Sequence, residues 1–357
     1  MLKLEYKDYT LDFKFDAETS RGILRSHRIM LLKVYDPKAP AIYGLGEAAP
    51  LPRLSTDRFE DVEMEIPKVS SRLKNMDLPS RNEEIPKLVG EVVSADLPSL
   101  RFALELAMND LFHGGRRLIF ENDFFRGAHR IQINGLIWMG DPDFMKEQID
   151  EKIAQGFTCV KLKVGALDFD EELNLIKYLR SKSPDLTIRV DANGGFANHE
   201  ALSRLGAMKP FGLHSIEQPI MPKQPEAMQL ICRKSTIPIA LDEELIGVVG
   251  LKEKRELLSY IKPQYLVLKP TLLGGFEATM EWIRLAEDLK IGWWITSALE
   301  SSIGLNGISQ FVASLRPEGH QGLGTGQLYV NNFYSPLQVT GEYLAYDNNK
   351  LWEVGLL

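Results

Sequence analysis

A repeated unit of one strand and one helix fills the sequence between residues 158 and 297. Six short apolar, β-rich runs each end in a polar residue, and stretches with helical periodicity separate them. The residues that end these runs are Lys163, Asp191, Glu217, Asp242, Lys269 and Ser297. Successive ends lie 25 to 28 residues apart. Strands that alternate with helices in this way predict a parallel sheet, and this many consecutive units predict a closed barrel.

Two further runs extend this series. Residues 131–137 predict a first barrel strand, and the glycine-rich residues 322–326 predict a short last strand. The predicted fold class is therefore α/β, with a TIM-type barrel over residues 126–330. Because the carboxyl ends of all barrel strands open at one mouth, the active site of such a fold is expected there.

The first 125 residues predict a separate α+β domain. Three runs have the alternation or the composition of strands: residues 11–15, 29–35 and 41–47. Residues 19–27 between the first two predict a polar loop. The clearest helix is predicted to start at an N-cap, Asp96, with Pro98 in its first turn, and to end at Gly114.

Composition excludes several classes of protein. The chain has 357 residues, 44% of them hydrophobic, and a net charge of −7 without long runs of one sign. A clustered basic face for nucleic acid is absent from the sequence, as is an apolar stretch of membrane-spanning length. Cys159 and Cys232 cannot make a disulfide framework. We expect a soluble cytoplasmic enzyme without nucleic-acid or membrane partners, and the sequence leaves its oligomeric state open.

Five ionisable residues occupy the same position in consecutive repeats: Lys163, Asp191, Glu217, Asp242 and Lys269. Three converging carboxylates repel each other unless a cation neutralises them. A set of oxygen ligands without Cys or His suits a hard cation, so the sequence predicts a Mg²⁺ site. Three carboxylates also leave room for water and for the carboxylate of a small-molecule substrate.

The two lysines lie on strands on either side of the three acidic strands. Beside a divalent cation and a second ammonium group, a lysine is expected to have a depressed pKa and to act as a base in its neutral form. This arrangement predicts abstraction of a proton next to a carboxylate. A Mg²⁺ ion at the developing ene-diolate lowers the barrier to that step.

Several short motifs resemble those of the enolase superfamily, in its muconate-lactonizing-enzyme subgroup. They are Lys161-Leu162-Lys163, Asp191-Ala192-Asn193, Glu217-Gln218-Pro219, Asp242-Glu243 and Lys269. A Lys or His base with Mg²⁺ is the known chemistry of that superfamily. The resemblance implies a modified (β/α)₇β barrel with an α+β capping domain, formed by residues 1–125 and completed by about 331–357. Capping loops around residues 20–27 and 51–56 would then control substrate specificity.

Within this subgroup, residues 134–140, 297–304 and 322–329 are similar to the o-succinylbenzoate synthases. The resemblance implies a Mg²⁺-dependent syn dehydration of 2-succinyl-6-hydroxy-2,4-cyclohexadiene-1-carboxylate to o-succinylbenzoate, a step of menaquinone biosynthesis. Lys163 would be the base, and Lys269 would stabilise the enolate from the opposite face. The remaining implied site residues are the metal ligands Asp191, Glu217 and Asp242, the supporting residues Lys161, Asn193 and Glu243, and the substrate-binding residues Ser20, Ser297, Ala298 and Leu299. Arg25 in the first capping loop is predicted to bind a second carboxylate of the substrate, because a guanidinium matches a carboxylate with two hydrogen bonds.

Other activities compete with this interpretation. N-succinylamino-acid racemases and muconate cycloisomerases keep the same lysines and acids, so both stay open. A mandelate-racemase-type site is disfavoured because no histidine ends a barrel strand, and a dipeptide epimerase is disfavoured because residues 322–326 contain no carboxylate. Residues 322–326 also permit a weak phosphate-binding hypothesis. A non-catalytic protein on the same scaffold would not need both lysines and all three acids.

Overall fold

The computed structural model describes residues 1–19 and 22–355. The chain begins with three antiparallel strands that pair in sequence order: β1 (Lys3–Thr19), β2 (Gly22–Tyr35) and β3 (Tyr43–Ala48). Three helices follow: α1 (Phe59–Leu73), α2 (Ile85–Val92) and α3 (Pro98–Phe112). A buried apolar cluster joins the sheet to these helices. The α3 helix starts after an N-cap at Leu97, one residue beyond the predicted Asp96, and ends before Gly114.

The predicted polar loop at residues 19–27 is wrong for most of its length. Residues 22–27 continue β2 and pair with β1, with one irregularity in register between Asp12 and Ala17. Polar residues fit this strand because the sheet extends past its apolar core there: Gly22, Ile23, Arg25 and Ser26 are exposed, and only His27 is buried. The hairpin consequently reaches over the barrel as an extended arm.

Close packing fixes α3 against β3. A side chain at Gly44 would overlap the carbonyl oxygen of Ala107, and one at Gly46 would overlap that of Ala103. Glycine at both positions therefore lets the helix backbone lie directly on the strand. The following residue, Glu47, is fully buried and points toward the barrel, where it contacts Ser301.

The barrel follows from residue 131 and keeps the predicted order of elements. The elements from residue 131 onward are β4 (Ile131–Gln132), β5 (Gly135–Ile137), α4 (Pro142–Ala154), β6 (Cys159–Lys163), α5 (Phe169–Lys182), β7 (Thr187–Asp191), α6 (Asn198–Met208), β8 (Ser215–Glu217), α7 (Pro225–Lys234), β9 (Ile239–Leu241), α8 (Leu251–Ile261), β10 (Tyr265–Leu268), α9 (Pro270–Leu273), α10 (Phe276–Asp288), β11 (Gly292–Ile295) and α11 (Ser302–Leu315). Short 3₁₀ turns cover Asn82–Glu84, Lys209–Phe211, Glu243–Leu245 and Gly324–Gln327. Strands β5 to β11 form one parallel sheet of seven strands in sequence order.

Gln321 and Gly322 close the sheet into a barrel. Gln321 forms a parallel bridge with Ile133 beside β5, and Gly322 forms one with Thr296 beside β11. The predicted last strand is thus reduced to this short bridge, because the glycine-rich residues after it turn into a 3₁₀ helix. A side chain at Gly322 would overlap Thr296, which explains this glycine by close packing.

The predicted first barrel strand divides into two parts. Only β5 joins the barrel, whereas β4 pairs with β13 (Tyr343–Tyr346), which in turn pairs with β12 (Leu337–Thr340). This small antiparallel sheet lies beside the segment that enters the barrel, and not in the N-terminal sheet with which residues 331–357 were predicted to form one domain. Alternation along a strand reveals no partner, so the sequence could not specify this pairing. The domain boundary at about residue 125 stays a prediction.

Backbone hydrogen bonds hold the N-terminal sheet over the barrel. The Lys14 amide donates to the Leu328 carbonyl oxygen at 2.9 Å, and the Val330 amide donates to that of Asp12 at 2.9 Å. This attachment brings residues 22–24 at the start of β2 to the carboxyl ends of the barrel strands. Among the residues that the structure describes, no helix has both the length and the apolar composition to cross a membrane.

Candidate active site

Strand register brings the predicted ionisable residues side by side. The β6–β7 register pairs Lys163 with Asp191, and the β7–β8 register pairs Asp191 with Glu217. Lys161 lies two residues before Lys163 in the same extended strand, so both lysine side chains leave one face of the sheet. The intervening Leu162 belongs to the apolar core on the opposite face. The alternation in β6 therefore aims two ammonium groups into the mouth of the barrel.

Lys161 bridges two of the three predicted metal ligands. Its Nζ lies 2.8 Å from Asp191 Oδ2 and 2.6 Å from Glu217 Oε2. Lys163 Nζ donates to Asn193 Oδ1 at 2.6 Å and lies 3.1 Å from Asp191 Oδ2. The three carboxylate and amide partners are buried. Lys161 is therefore fixed between two acids, whereas Lys163 lies at the edge of the cluster.

The second half of the cluster lies around Lys269, directly after β10. Its Nζ forms an ion pair with Asp242 and lies 3.8 Å from Glu217 Oε1. Glu243 joins the two halves, because its Oε1 accepts a hydrogen bond from Asn193 Nδ2 at 3.0 Å. The structure thus brings together all eight polar residues that the sequence predicted at the strand ends: Lys161, Lys163, Asp191, Asn193, Glu217, Asp242, Glu243 and Lys269.

Burial and charge act in opposite directions on these groups. Burial favours the neutral acid at Asp191, but three surrounding lysines hold its pKa well below the ordinary value. Burial, reinforced by the neighbouring carboxylates, raises the pKa of Asp242 despite its contact with Lys269. Burial acts to lower the pKa of Lys269, yet the adjacent acids raise it. The sequence predicted a depressed lysine pKa on the assumption that a divalent cation is bound. Without that cation, the neighbouring acids raise the pKa of Lys269.

The donor chemistry of the cluster fits a hard cation. Glu217 Oε1 is buried and has no hydrogen-bond partner among the described residues, and Asp191 and Asp242 lie on the two flanking strand ends. In the described part of the chain no three potential ligands surround a common point closely enough to form a metal site, and lysine ammonium groups contact each acid. Asp191, Glu217 and Asp242 stay the predicted Mg²⁺ ligands.

A cavity of about 360 Å³ opens above these residues. Three of the charged groups that line it are Lys163, Asp191 and Lys269. Its upper wall comes from the N-terminal part of the chain: Gly22, Ile23, Leu24, Leu51, Pro52, Arg53 and Leu54. The volume is of the size that takes a small organic molecule. Residues 22–24 and 51–54, from the two segments predicted to control specificity, therefore reach the cavity.

The predicted substrate-binding residues divide into three groups. Ser297, Ala298 and Leu299 line the cavity, as the sequence suggested. Arg25 does not, because its guanidinium forms two hydrogen bonds of 3.0 Å with Asp16 and its side chain is 75% exposed. The structure therefore does not place Arg25 in the cavity, and its contact with substrate stays a prediction. Ser20 lies outside the residues that the structure describes.

Several residues that line the cavity were not predicted from the sequence, among them Arg53 and Trp294. Arg53 lines the cavity with its guanidinium beside Gly22 at the start of β2, and no local pattern distinguishes it from other loop residues. Trp294, interpreted from the sequence as barrel wall, also lines the cavity and carries the Arg189 guanidinium 4.0 Å from its ring centre. The cavity position of Trp294 could have been predicted, because it lies two residues before Thr296 and side chains two apart on a strand share one face.

Comparison with known proteins identifies the family. Residues 144–349 match the model of the enolase C-terminal domain-like family. The o-succinylbenzoate synthase of Desulfotalea psychrophila is 44% identical, over 96% of this chain and 99% of the relative. The chain belongs to the o-succinylbenzoate synthase family. This family consists of enolase-superfamily lyases, and members of the superfamily generally use Mg²⁺.

Solved structures agree with this o-succinylbenzoate synthase fold. The crystal structure of MenC from Desulfotalea psychrophila matches with a TM-score of 0.83 and 41% identity, covering 96% of this chain and 99% of that one. A second relative found by sequence, the N-succinylamino acid racemase of Thermus thermophilus, is 28% identical over 84% of this chain and 79% of the relative. The predicted α/β barrel class and the prediction of an enolase-superfamily enzyme are thus confirmed.

Proposed function

We propose that this enzyme dehydrates 2-succinyl-6-hydroxy-2,4-cyclohexadiene-1-carboxylate to o-succinylbenzoate, the reaction of menaquinone biosynthesis. One observation carries the proposal: in a chain 44% identical to an o-succinylbenzoate synthase, Lys163 and Lys269 line the same cavity, with Asp191 at its floor. A base and a second cation are thereby available to one small carboxylate substrate.

In this proposal Lys163 handles the proton. The neutral amine takes the proton on the carbon next to the substrate carboxylate, and the electron pair of that C–H bond moves toward the carboxylate. The ammonium of Lys163 then returns the proton to the ring hydroxyl as the C–O bond breaks. Water leaves and the ring becomes aromatic. Because one residue removes and returns the proton, both events take place on the same face of the ring.

The other charged residues support this sequence. Mg²⁺, held by Asp191, Glu217 and Asp242, would supply positive charge that stabilises the carboxylate as the proton leaves. Lys269 adds positive charge from the other side of the acid cluster. Lys161, fixed at 2.8 Å from Asp191 and 2.6 Å from Glu217, keeps these acids oriented.

Arg53 takes the role that the sequence assigned to Arg25. The substrate carries a second carboxylate on its succinyl side chain, and Arg53 is the arginine that lines the described cavity wall. A guanidinium matches a carboxylate with two parallel hydrogen bonds. We therefore place the succinyl group toward residues 51–54 and the ring toward the lysines.

The test is ultraviolet detection of o-succinylbenzoate formation, with Mg²⁺ and after chelation. We expect turnover that depends on Mg²⁺ and disappears in Lys163→Ala. The matched control is Lys252→Ala, a lysine on α8 with a side chain 82% exposed, which should keep full activity. A protein that binds Mg²⁺ but gives no product would refute the proposed substrate.

A second activity, racemisation of N-succinylamino acids, is supported by the 28% identity to the Thermus thermophilus racemase and by the two lysines in one cavity. Racemisation needs an acid and a base on opposite faces, whereas syn elimination needs one residue. Lys269→Ala should therefore abolish racemisation but still exchange the α-proton of one enantiomer with deuterated solvent. The absence of racemisation by the unmodified enzyme would exclude this activity.

A further inference from the structure

The cavity wall contains a backbone carbonyl that two distant residues hold. Leu299 has a φ of +66°, in the left-handed region that side chains other than glycine rarely adopt. Its carbonyl oxygen accepts a hydrogen bond of 2.6 Å from Tyr329 Oη. His27 Nδ1 lies 3.2 Å from the same oxygen. Two polar groups thus stabilise a backbone conformation that a leucine would otherwise avoid.

His27 lies between the loops that form the cavity. It is 2% exposed, on the face of β2 that looks toward the barrel. Its Nε2 lies 3.4 Å from the Pro50 carbonyl oxygen, directly before the loop that contributes Leu51 to the cavity. Burial lowers the pKa of His27, so the ring is neutral and carries a single N–H. The shorter contact assigns this N–H to Nδ1 and to Leu299.

The conformation of Leu299 matters for the cavity because its side chain is part of the wall. Leu299 packs against a small apolar cluster that includes Leu51, Leu54 and Ala298, and all four residues line the cavity. The amide of Ala298 donates to Glu300 Oε2 at 2.7 Å, so the segment is held on both sides of Leu299. Loss of the hydrogen bonds to this carbonyl would release Leu299 from its left-handed conformation, on which the place of its side chain in this cluster depends.

We propose that His27 and Tyr329 form a clamp on the Leu299 carbonyl that positions the apolar wall of the cavity and thereby determines how tightly substrate binds. Neither residue lines the cavity in the part of the chain that the structure describes. They are therefore positioning residues: their loss should raise KM and leave kcat nearly unchanged. The expected effects on KM and kcat rest on the proposed dehydration.

The kinetic test uses His27→Leu, Tyr329→Phe and the double variant. Each single change should raise KM about 3- to 10-fold, the factor that one net hydrogen bond contributes, with kcat within about twofold. The double variant should raise KM by more than the product of the two single effects, because each donor alone still holds the carbonyl. His27→Asn, whose amide can donate from the position of Nδ1, should restore KM to within about twofold.

Tyr9→Phe is the matched control. Tyr9 Oη donates to the Asn331 carbonyl oxygen at 2.7 Å, so it also links the N-terminal sheet to the segment between the barrel and β12. Tyr9 does not line the cavity. This variant should lower the melting temperature without raising KM. If the His27 and Tyr329 variants behave like Tyr9→Phe, with a lower melting temperature and an unchanged KM, the clamp is only structural and the proposal fails.

A second measurement does not depend on the substrate. Hydrogen–deuterium exchange of the segment that contains Ala298 and Leu299 should be faster in the double variant than in Tyr9→Phe, because the clamp restrains this segment. Equal exchange in the two variants would overturn the clamp. If the unmodified enzyme does not turn over the cyclohexadiene carboxylate, the proposed function fails, and the exchange experiment still decides whether the clamp exists.

Discussion

The substitution Glu47→Gln tests how the N-terminal sheet is fixed to the barrel. Glu47 is fully buried at the end of β3. Its carboxylate accepts hydrogen bonds from the Ser301 amide at 2.7 Å and the Gly304 amide at 2.9 Å, at the start of α11. Burial raises the pKa of Glu47 from 4.5 to about 7, against the hydrogen bonds from Ser301 and with a further contribution from the charge of Glu300.

The magnitude follows from proton linkage. Between pH 4.5 and about pH 7 the folded chain keeps the proton of Glu47, whereas the unfolded chain loses it. The folded state then binds more protons, so the free energy of unfolding falls as pH rises. A shift of this size corresponds to about 3 kcal/mol, at about 1.4 kcal/mol for each unit of pKa. The contribution is constant below about pH 4.5 and fully lost above about pH 7.

The assay is denaturant unfolding of the unmodified enzyme and of Glu47→Gln at several pH values from 4.5 to 8.5. Glutamine cannot ionise, so the difference in unfolding free energy, unmodified minus variant, should fall by about 3 kcal/mol across this range. Glu121→Gln makes the same change at an exposed position and should give no such trend. A difference that rises with pH would show that Glu47 is ionised at the helix N-terminus, and would refute the reasoning from burial.

Three further predictions concern the substrate, the metal and the fold. Arg53→Gln should raise KM for the dicarboxylate substrate about tenfold or more, the effect of one charge-assisted pair, whereas Arg25→Gln should leave steady-state kinetics unchanged. Glu217→Gln removes a predicted ligand and should weaken Mg²⁺ binding to the purified protein by more than about tenfold in calorimetry; equal affinity would exclude Glu217 as a ligand. Gly46→Ala would overlap a backbone carbonyl of α3 and should destabilise the protein by about 1–3 kcal/mol, whereas Gly90→Ala, with open space around it, should not lower the melting temperature.

The strand ends were predictable because the information is local and repeated. Each barrel strand has an apolar run whose end is marked by a change to polar residues, and β6, β7 and β8 end at the predicted Lys163, Asp191 and Glu217. In a closed barrel all such ends meet at one mouth. Residues at equal positions in successive units therefore become neighbours in space without knowledge of any long-range contact.

Pairings between distant segments were not predictable in this way. Residues 22–27 look like a polar loop, yet they form half of a hairpin because β1 supplies a partner. The division of residues 131–137 between two sheets depends on β13, more than 200 residues later in the chain. The local pattern indicates that a segment can form a strand, but the strand it pairs with determines which sheet the segment joins.

The same distinction separates chemistry from specificity in this enzyme. The lysines and acids depend on barrel register alone, whereas the cavity wall depends on contacts among the β1–β2 hairpin, residues 51–54 and Leu299. Arg25 and Arg53 show the consequence: both are arginines in capping loops, but an ion pair with Asp16 turns one away and the loop after β3 places the other in the cavity. Changes in the capping loops can therefore alter which carboxylate is bound while the acid cluster and its lysines stay in place.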